Sequence, residues 1–432
     1  MAIIEASIPL FFLLILLELA VARRRGMRLY RLADSISDLS CGILSQLAGL
    51  FVSLLVIAIH AWVVAHVALQ RWGILPPWVE RLPWGAGAVP GALGTDWAAL
   101  GSWTLAFILV DLAYYALHRA SHVVHVLWAG HVVHHSSEEY NLTVALRQSS
   151  LHGLLSWVFY LPLAVLGMPW QLFATCYALN LVYQFWIHTR AIERLPRWIE
   201  WWFNTPSHHR VHHGVNPEYQ DRNYAGVFIV WDRLFNTFVE ERATPVYGIT
   251  TPLRSWNPVW ANVHVFAAIA RDARRTRRWR DKLRVIFGHP GWRPPDLVGV
   301  AAPAPTRFAV PEPFDPPVPA GVTGYALAQF VLLLAVAYAT LVAAPTLARH
   351  ETAALVFVVA LGLTAVGALL EGRRGALSVE SARLLALAVA CASSLTLGRL
   401  PVLSTLGLVA CVASLAWLVR LRARLVPPPV TA

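Results

Sequence analysis

The chain has 432 residues, of which 57% are hydrophobic and only 14% are charged. Soluble domains carry about 25% charged residues, so this composition excludes an ordinary soluble protein. The mean hydropathy of +0.54 and the recurrence of apolar stretches of about 18 to 25 residues indicate a chain that crosses the membrane several times. We therefore predict an all-α integral membrane protein, folded as a multi-span helical bundle.

The net charge of +11 comes from 35 basic and 24 acidic residues, and Lys282 is the only lysine. The arginines cluster at the ends of apolar runs and in the stretch 271–284. This placement is typical of cytoplasmic loops and argues against nucleic acid as a partner. The 271–284 run is predicted to be either a solvated face or a face that binds lipid headgroups. The four cysteines lie in or beside apolar segments without CxxC spacing and predict neither disulfides nor a thiolate metal site.

Nine apolar stretches are candidate membrane spans. No basic residue precedes the first, and Arg23, Arg24 and Arg25 follow it, so we predict an uncleaved anchor whose N-terminus lies outside. If all nine cross, the arginine-rich loops share one side, which the positive-inside rule makes cytoplasmic. The fourth, fifth and eighth are short for a bilayer of about 30 Å and could be half-buried or re-entrant. The ranges are 6–22, 44–69, 97–117, 150–167, 170–187, 324–344, 353–370, 384–397 and 400–419.

Four segments are predicted along the chain. Residues 1–96 form N-terminal anchor spans, and residues 97–255 form a core that carries most of the histidines. Residues 256–323 form a cytoplasmic linker, first basic and then proline-rich, with seven prolines in 303–319. Residues 324–432 form a C-terminal bundle of four spans, which is predicted to be a scaffold because it offers no constellation of polar residues.

The histidines are concentrated in one window: twelve of the 17 lie between His118 and His213. They form three boxes at 118–122, 131–135 and 209–213, with His125 and His208 as extras, and His188 stands at the cytoplasmic end of the fifth predicted span. Spacings of three and four place imidazoles on one helical face, where they can converge on an ion. Eight or nine imidazoles exceed the four to six ligands, roughly, of one first-row metal. The count predicts a dinuclear centre on the cytoplasmic face, with iron favoured among Fe, Zn, Cu and Ni.

Polar residues inside the predicted spans are expensive and tend to be functional. Asp111, Tyr114 and His118 lie at helical spacing in the third span, so we predict that Asp111 orients a ligand imidazole. Asn180, Gln184 and His188 form a similar stripe in the fifth span, although plain hydrogen bonds between helices explain the first two equally well. Glu18 lies close to Arg23 and is predicted to reach the membrane interface.

The three boxes, which begin Asp111-Leu-Ala-Tyr-Tyr-Ala-Leu-His118, resemble those of the fatty acid hydroxylase and sterol desaturase superfamily. These membrane enzymes use a histidine-ligated di-iron centre, O2 and electrons to oxidise lipid C–H bonds. The stretches 140–149, 185–189, 223–226 and 231–235 are most similar to the alkylglycerol monooxygenase family, which hydroxylates ether lipids beside the ether oxygen. The resemblance covers roughly residues 100–255. One departure is Asn236, where relatives usually have glycine.

The resemblance implies a set of metal ligands for two iron ions, with tetrahydrobiopterin as a reductant that no residue by itself indicates. Of the doubled His208-His209, we prefer His209 as the ligand because its spacing repeats that of the second box. The implied ligands are His118, His122, His131, His134, His135, His188, His209, His212 and His213. Residues predicted to surround them are Asp111, Asn141, Gln184, His208, Asn223 and Asp232.

The predicted function is therefore an O2-dependent di-iron lipid monooxygenase, with ether lipids as substrates. A sterol desaturase or hydroxylase and a fatty acid hydroxylase are alternatives that use the same centre. A histidine-rich metal transporter is a different class, but the boxes offer no second ligand set on the other membrane side. A zinc hydrolase is disfavoured because HExxH is absent. The expected partners are the bilayer, a lipid and an electron donor, in the inner membrane of a bacterium or the endoplasmic reticulum of a eukaryote.

Overall fold

The computed structural model describes residues 2–69, 97–297, 312–396 and 401–425. In these ranges the chain forms helices and one isolated bridge, between Phe203 and Phe228, and contains no β-strand. The all-α prediction is confirmed. The first half comprises α1 Ala2–Arg24, α2 Leu32–His66, α3 Trp97–Val123, α4 His125–His135, α5 Leu142–Ala145, α6 His152–Ser156, α7 Leu161–Val165 and α8 Trp170–Phe185. The remainder comprises α9 Arg197–Trp202, α10 Pro206–His212, α11 Val230–Leu234, α12 Pro258–Arg275, α13 Trp279–Phe287, α14 Ala320–Ala343, α15 Arg349–Leu370, α16 Ala376–Thr396 and α17 Pro401–Leu425.

Seven helices in the described ranges are long and apolar enough to cross a membrane, which confirms a multi-pass membrane protein. Many of their large apolar side chains point away from the protein, as a lipid-facing surface requires; Leu13 and Leu16, for example, are each 62% exposed. These candidate spans are Ala6–Arg24, Leu32–His66, Leu100–Val123, Ala320–Ala343, Arg349–Leu370, Ala376–Thr396 and Pro401–Arg422.

The fourth and fifth predicted spans do not form helices long enough to cross a membrane. The stretch His152–Val165 is broken into α6, a 3-10 turn at Trp157–Tyr160 and α7, and α8 has only 16 residues. Pro169 precedes α8, and Gly167 has a φ of +82°, so the chain turns between the two stretches. Both elements pack on α3 through a core of Ala106, Val110, Leu117, Tyr160, Leu163, Met168, Leu172, Phe173 and Cys176.

Helix α2 begins twelve residues before the second predicted span. At about 1.5 Å per residue, its 35 residues exceed the bilayer core of about 30 Å, so its first turns lie beyond the hydrocarbon. Those turns carry the buried polar residues Asp34, Ser37, Asp38 and Ser40. They hold the loop after α4: the Ser137 hydroxyl donates to Asp34 over 2.8 Å, and the Thr143 hydroxyl donates to Asp38 over 2.8 Å.

The chain divides into two compact units: Met1–Leu253 with Asn262–Glu312, and Arg254–Ala261 with Pro313–Ala432. In the first unit, the stretch predicted to be a basic linker instead contains helical turns of α12 and the whole of α13. Val285 of α13 and Ile269 of α12 pack on Ala129 of α4, because each helix has one apolar face to bury. Most of the proline-rich stretch, 298–311, lies outside the described residues.

The second unit corrects the prediction that the C-terminal bundle has no polar constellation. The guanidinium of Arg383 donates to the Glu380 carboxylate over 2.6 Å and to the Gln329 amide oxygen over 3.1 Å. The Tyr325 hydroxyl donates to the same carboxylate over 2.8 Å, and Gln329 donates to Ser414 over 2.8 Å. All five side chains are buried, so this network joins α14, α16 and α17 from within.

Candidate metal centre

Nine buried histidines converge inside the first unit. They come from the end of α3, from α4, from the turn after α8, and from α10 with the residue that follows it. They form two groups, and within each group one ring nitrogen per histidine lies within 4.8 Å of the others. Site A consists of His118, His122, His131, His135 and His212. Site B consists of His134, His188, His209 and His213. The histidines that the fold brings together are therefore the same nine that the family resemblance implies.

The two sites adjoin because single helices serve both of them. On α4, His135 belongs to site A and His134 to site B, since consecutive residues point about 100° apart around a helix. On and after α10, His212 belongs to site A and His213 to site B for the same reason. The rings of His135 and His213 stack across the boundary, with centroids 4.4 Å apart.

Backbone carbonyls fix the orientation of four of the rings. A carbonyl only accepts, so each of these Nδ1 atoms carries the proton, and each Nε2 presents a lone pair. The pairs are His118 with the Tyr224 carbonyl at 2.7 Å, His134 with Arg147 at 3.1 Å, His188 with Gln184 at 2.7 Å, and His212 with Arg222 at 3.0 Å. The chain thus sets the tautomer that a metal ligand needs.

These tautomers bring lone pairs face to face. The Nε2 atoms of His134 and His188 lie 3.2 Å apart, and each ring carries its one proton on Nδ1, where it is donated to a carbonyl. No proton is left between the two Nε2 atoms, so their lone pairs repel each other unless a cation lies between them or beside them. In site A, the Nε2 atom of His212, which carries a lone pair, lies 3.2 Å from the Nε2 atom of His135. This donor set fits a metal ion.

Among the nine site histidines, three further ring nitrogens are buried and have no hydrogen-bond partner within the described residues: Nε2 of His122, Nδ1 of His209 and Nε2 of His213. A buried polar atom without a partner costs roughly 1–3 kcal/mol, and native proteins keep few of them. One of these atoms belongs to site A and two belong to site B. The orphaned nitrogens are a second observation that fits an ion in each group.

Burial keeps the histidines in the neutral form that can bind a metal. It lowers the pKa of the His188 imidazole to about 4. Six other site histidines also lie outside the membrane spans. Burial is the largest cause that lowers the pKa of their imidazoles and repulsion from neighbouring imidazoles is the next, and together they hold it well below its usual value. These histidines are His131, His134, His135, His209, His212 and His213.

Asp111 does not orient an imidazole through any hydrogen bond of the described residues, contrary to the prediction. Its carboxylate accepts from the backbone of Val227 and Phe228, from the Trp231 indole and from the Asn180 amide, over 2.6 to 3.0 Å. Gly226 allows this close packing, because a Cβ atom there would lie 2.8 Å from the carboxylate. Asp111 therefore anchors the segment that follows Tyr224.

Asp232 supports that same segment from the other side. Its carboxylate accepts from the backbone of Tyr224 and Ala225, each over 2.8 Å, and from the Thr237 hydroxyl over 2.6 Å. Because the Tyr224 carbonyl holds His118, Asp232 is one step removed from site A. Gln184 reaches Asp111 through Asn180, and its carbonyl holds His188.

The three other predicted supporting residues act on loops. Asn141 caps α5 and donates to the Leu29 carbonyl over 2.7 Å. Asn223 bonds the backbone of His208 and Val239. The His208 ring lies outside both sites and meets the edge of Phe238, with centroids 5.4 Å apart. Of the doubled histidines, it is His209 that joins site B.

Sequence reasoning missed a buried ion pair beneath site B. Arg147, 1% exposed, donates to Asp38 over 3.1 Å, to the Ser37 hydroxyl over 2.9 Å and to the Val133 carbonyl over 2.7 Å. Its own carbonyl holds His134. The signal was available in part, because Asp34 and Asp38 are acidic residues just before an apolar run.

The contacts of two further acidic residues, Glu18 and Asp221, were not predicted from the sequence. Glu18 is buried and accepts from the backbone of Leu142 over 2.9 Å and from the hydroxyls of Tyr30 and Thr189, so the interpretation that it reaches the interface beside Arg23 is wrong. Asp221 lies 3.7 Å from Nδ1 of His122, with its other carboxylate oxygen 3.3 Å from the exposed His289.

Asn236 has a left-handed backbone conformation, with a φ of +59°. Glycine tolerates this conformation best, which explains why relatives usually have glycine at this position. Asparagine tolerates it better than most other residues. We expect Asn236→Gly to change the free energy of unfolding by less than about 1 kcal/mol and Asn236→Val to lower it by about 1–2 kcal/mol. Thermal unfolding of the detergent-solubilised protein measures both, and equal stability of the valine variant would contradict the assignment.

Comparison with known proteins identifies the family. A fatty acid hydroxylase family model matches residues 103–237, the region that carries all nine histidines. The chain is 36% identical to alkylglycerol monooxygenase of Xenopus tropicalis over 384 residues, which cover 88% of this chain and 80% of the relative. It is 37% identical to the human alkylglycerol monooxygenase, with 88% and 81% covered. The chain belongs to the alkylglycerol monooxygenase family. No solved structure matches it.

Family membership confirms the prediction of an oxidoreductase of the monooxygenase class. It also disfavours the transporter and zinc-hydrolase alternatives. In this chain the matched domain runs from α3 to α11, and most residues that hold the histidines by hydrogen bonds lie inside it. Asp38 and Glu18 lie before the domain and reach it from α2 and α1.

Proposed function

We propose that the protein is a di-iron monooxygenase that hydroxylates the alkyl chain of an ether lipid at the carbon beside the ether oxygen. The observation that carries the proposal is the pair of adjacent histidine groups, in which buried lone pairs converge. The relatives named alkylglycerol monooxygenase support the substrate class. Sterols and fatty acyl chains are the alternative substrates for the same centre.

The nine histidines would hold the two ions, one in each site. Neutral imidazole is a good ligand for iron, so the five imidazoles of site A and the four of site B would each be able to hold one ion. Two ions, when bound, supply the reduction of O2 that hydroxylation requires. A soluble reductant would provide the two electrons, and the family resemblance favours tetrahydrobiopterin.

The overall reaction balances without further groups. One oxygen atom enters the C–H bond, and the other leaves as water with two electrons and two protons. The hydroxylated ether is a hemiacetal, whose C–O bond breaks to give an aldehyde and an alcohol. The protein's own part is to hold the imidazoles neutral, to fix their rings by backbone carbonyls and to keep bulk water from a centre whose histidines are all at most 8% exposed.

We propose that the centre faces the cytoplasm. Removing the fourth and fifth predicted spans takes away an even number of crossings, so the loops alternate as before. Arg23–Arg25, the histidine region, Arg373 with Arg374, and Arg420 still share one side, which the positive-inside rule makes cytoplasmic. Soluble reductants reach that side.

The test is turnover of the purified protein in nanodiscs with an alkylglycerol, O2 and tetrahydrobiopterin. We expect fatty aldehyde, two iron ions per chain, and loss of both aldehyde formation and iron in His134→Ala. Oxidation of a sterol or an acyl chain with no aldehyde from the alkylglycerol would overturn the substrate. Two zinc ions, or no metal, would overturn the di-iron centre.

A further inference from the structure

Helix α13 has two apolar faces, although a surface helix needs only one. Val285, 2% exposed, points into the cluster with Ala129 and Ile269. On the outer side Trp279, Leu283 and Phe287 are 77%, 54% and 61% exposed. Residues four apart advance about 40° around a helix, so these three side chains form one stripe within an arc of about 80°. A stripe of large exposed apolar side chains marks a contact with another apolar phase.

Positive charge borders this stripe on one side. The exposed Arg280 and Arg284 follow it on one side of the helix. The stretch 271–284 contains eight basic and two acidic residues, a net charge of +6. Most of these basic residues are exposed, and Lys282 instead donates to the Ala273 carbonyl over 2.6 Å. An apolar stripe that carries a basic border is complementary to an anionic lipid surface.

Two hydrogen bonds connect this helix and the residue after it to the first residue of α4. The backbone of His125, the first residue of α4, donates to the Gly288 carbonyl over 2.9 Å. The ring of His125 bonds the Val285 carbonyl, also over 2.9 Å. Helix α4 carries three of the nine site histidines, so α13 is bonded to an element that supplies part of the centre.

The neighbouring helix leads back to a membrane span. The Asn262 amide oxygen of α12 accepts from the backbone of Ser150 over 2.8 Å and from the Ser149 hydroxyl over 3.1 Å. The Ser149 carbonyl in turn accepts from the Ser45 hydroxyl on α2, over 3.1 Å. Ile269, two turns further along α12, packs on α13. The contact between α12 and α13 is therefore about two helical turns along α12 from Asn262, which is tied to a span.

We propose that α13 is an interfacial helix, which inserts Trp279, Leu283 and Phe287 among the headgroups of an anionic bilayer and binds the lipid phosphates through Arg280 and Arg284. The occupant of this face is the bilayer in which the protein already resides. This contact would fix the height of α4 above the membrane. Of the two predictions for the 271–284 run, it favours a face that binds lipid headgroups over a solvated face. The inference concerns lipid contact and stands apart from the proposed reaction.

The test is hydrogen exchange of the full-length protein, one copy per nanodisc, in phosphatidylcholine alone and in phosphatidylcholine with phosphatidylglycerol. We expect the amides of 279–287 to exchange at least about tenfold more slowly in the anionic nanodiscs. The protection is expected to disappear in Leu283→Glu and to fall in Arg280→Gln/Arg284→Gln. The matched control is Arg242→Gln, because the Arg242 side chain is 86% exposed and lies outside the stripe.

Equal exchange of 279–287 in the two lipid mixtures would overturn the proposal. Protection that appears only with two copies per nanodisc would assign the stripe to a second chain and would also overturn it. Iron content, measured on the same samples, separates this result from the fate of the proposed reaction: the exposed substitutions on α13 are expected to leave it unchanged.

Discussion

Replacement of His209 by alanine is expected to remove the iron proposed for site B and to lower turnover by more than about 100-fold, whereas replacement of its neighbour His208 is expected to leave that iron in place. His209 presents a buried Nδ1 without a partner, and its Nε2 lies 3.0 Å from that of His188. His208 lies outside both groups. Loss of a supporting residue costs about 10–100-fold at metal sites, and loss of a ligand costs more.

Iron per chain, measured by mass spectrometry on purified variants, checks this prediction. The adjacent pair is a close control, because both histidines are buried in α10 and both substitutions remove the same atoms. A His208→Ala variant that loses as much iron as His209→Ala would contradict the division into ligand and neighbour. Retention of iron in His209→Ala would remove this residue from the proposed ligand set.

Arg147→Met is expected to lower the free energy of unfolding by about 3–5 kcal/mol. The substitution leaves the carboxylate of Asp38, which is fully buried, without its guanidinium partner. It also removes the hydrogen bond to the Val133 carbonyl, next to His134, so iron at site B is expected to fall as well. The thermal unfolding of detergent-solubilised protein and its iron content measure the two effects.

A second variant separates charge from packing. Asp38→Asn/Arg147→Met removes the buried charge as well as its partner, and we expect it to recover much of the lost stability. Arg194→Ala serves as the control, because Arg194 and Glu240 form an ion pair with both side chains about half exposed, which contributes less than about 1 kcal/mol. A double variant no more stable than Arg147→Met would show that uncompensated charge is not the cause.

The histidines could be found from the sequence because their information is local. Spacings of three and four along α3, α4 and α10 already place the rings on helical faces. The supporting contacts were harder to predict. Arg147 and Asp38 are 109 positions apart, and Glu18 and Thr189 are 171 apart, so no pattern along the chain pairs them. Asp111 was singled out correctly as a buried polar residue, but its partners were not.

The differences between the predicted and the observed elements have a similar origin. The stretch around α12 and α13 is rich in arginine, and composition alone favoured a linker over the two helices that the structure shows. The fourth and fifth predicted spans are apolar because they pack on α3, and hydropathy does not distinguish such burial from contact with lipid. The C-terminal network was missed because its members lie on different helices.

By itself the sequence determined that this is a helical membrane protein and placed the imidazoles of three boxes on helical faces, since hydropathy and helical spacing are properties of short stretches. The family resemblance completed the set of nine histidines that meet. Only the tertiary structure decided that the nine divide into a group of five and a group of four. That division depends on the angle at which α3, α4 and α10 meet and on the carbonyls that set each ring. These are relations between distant segments, and no local pattern encodes them.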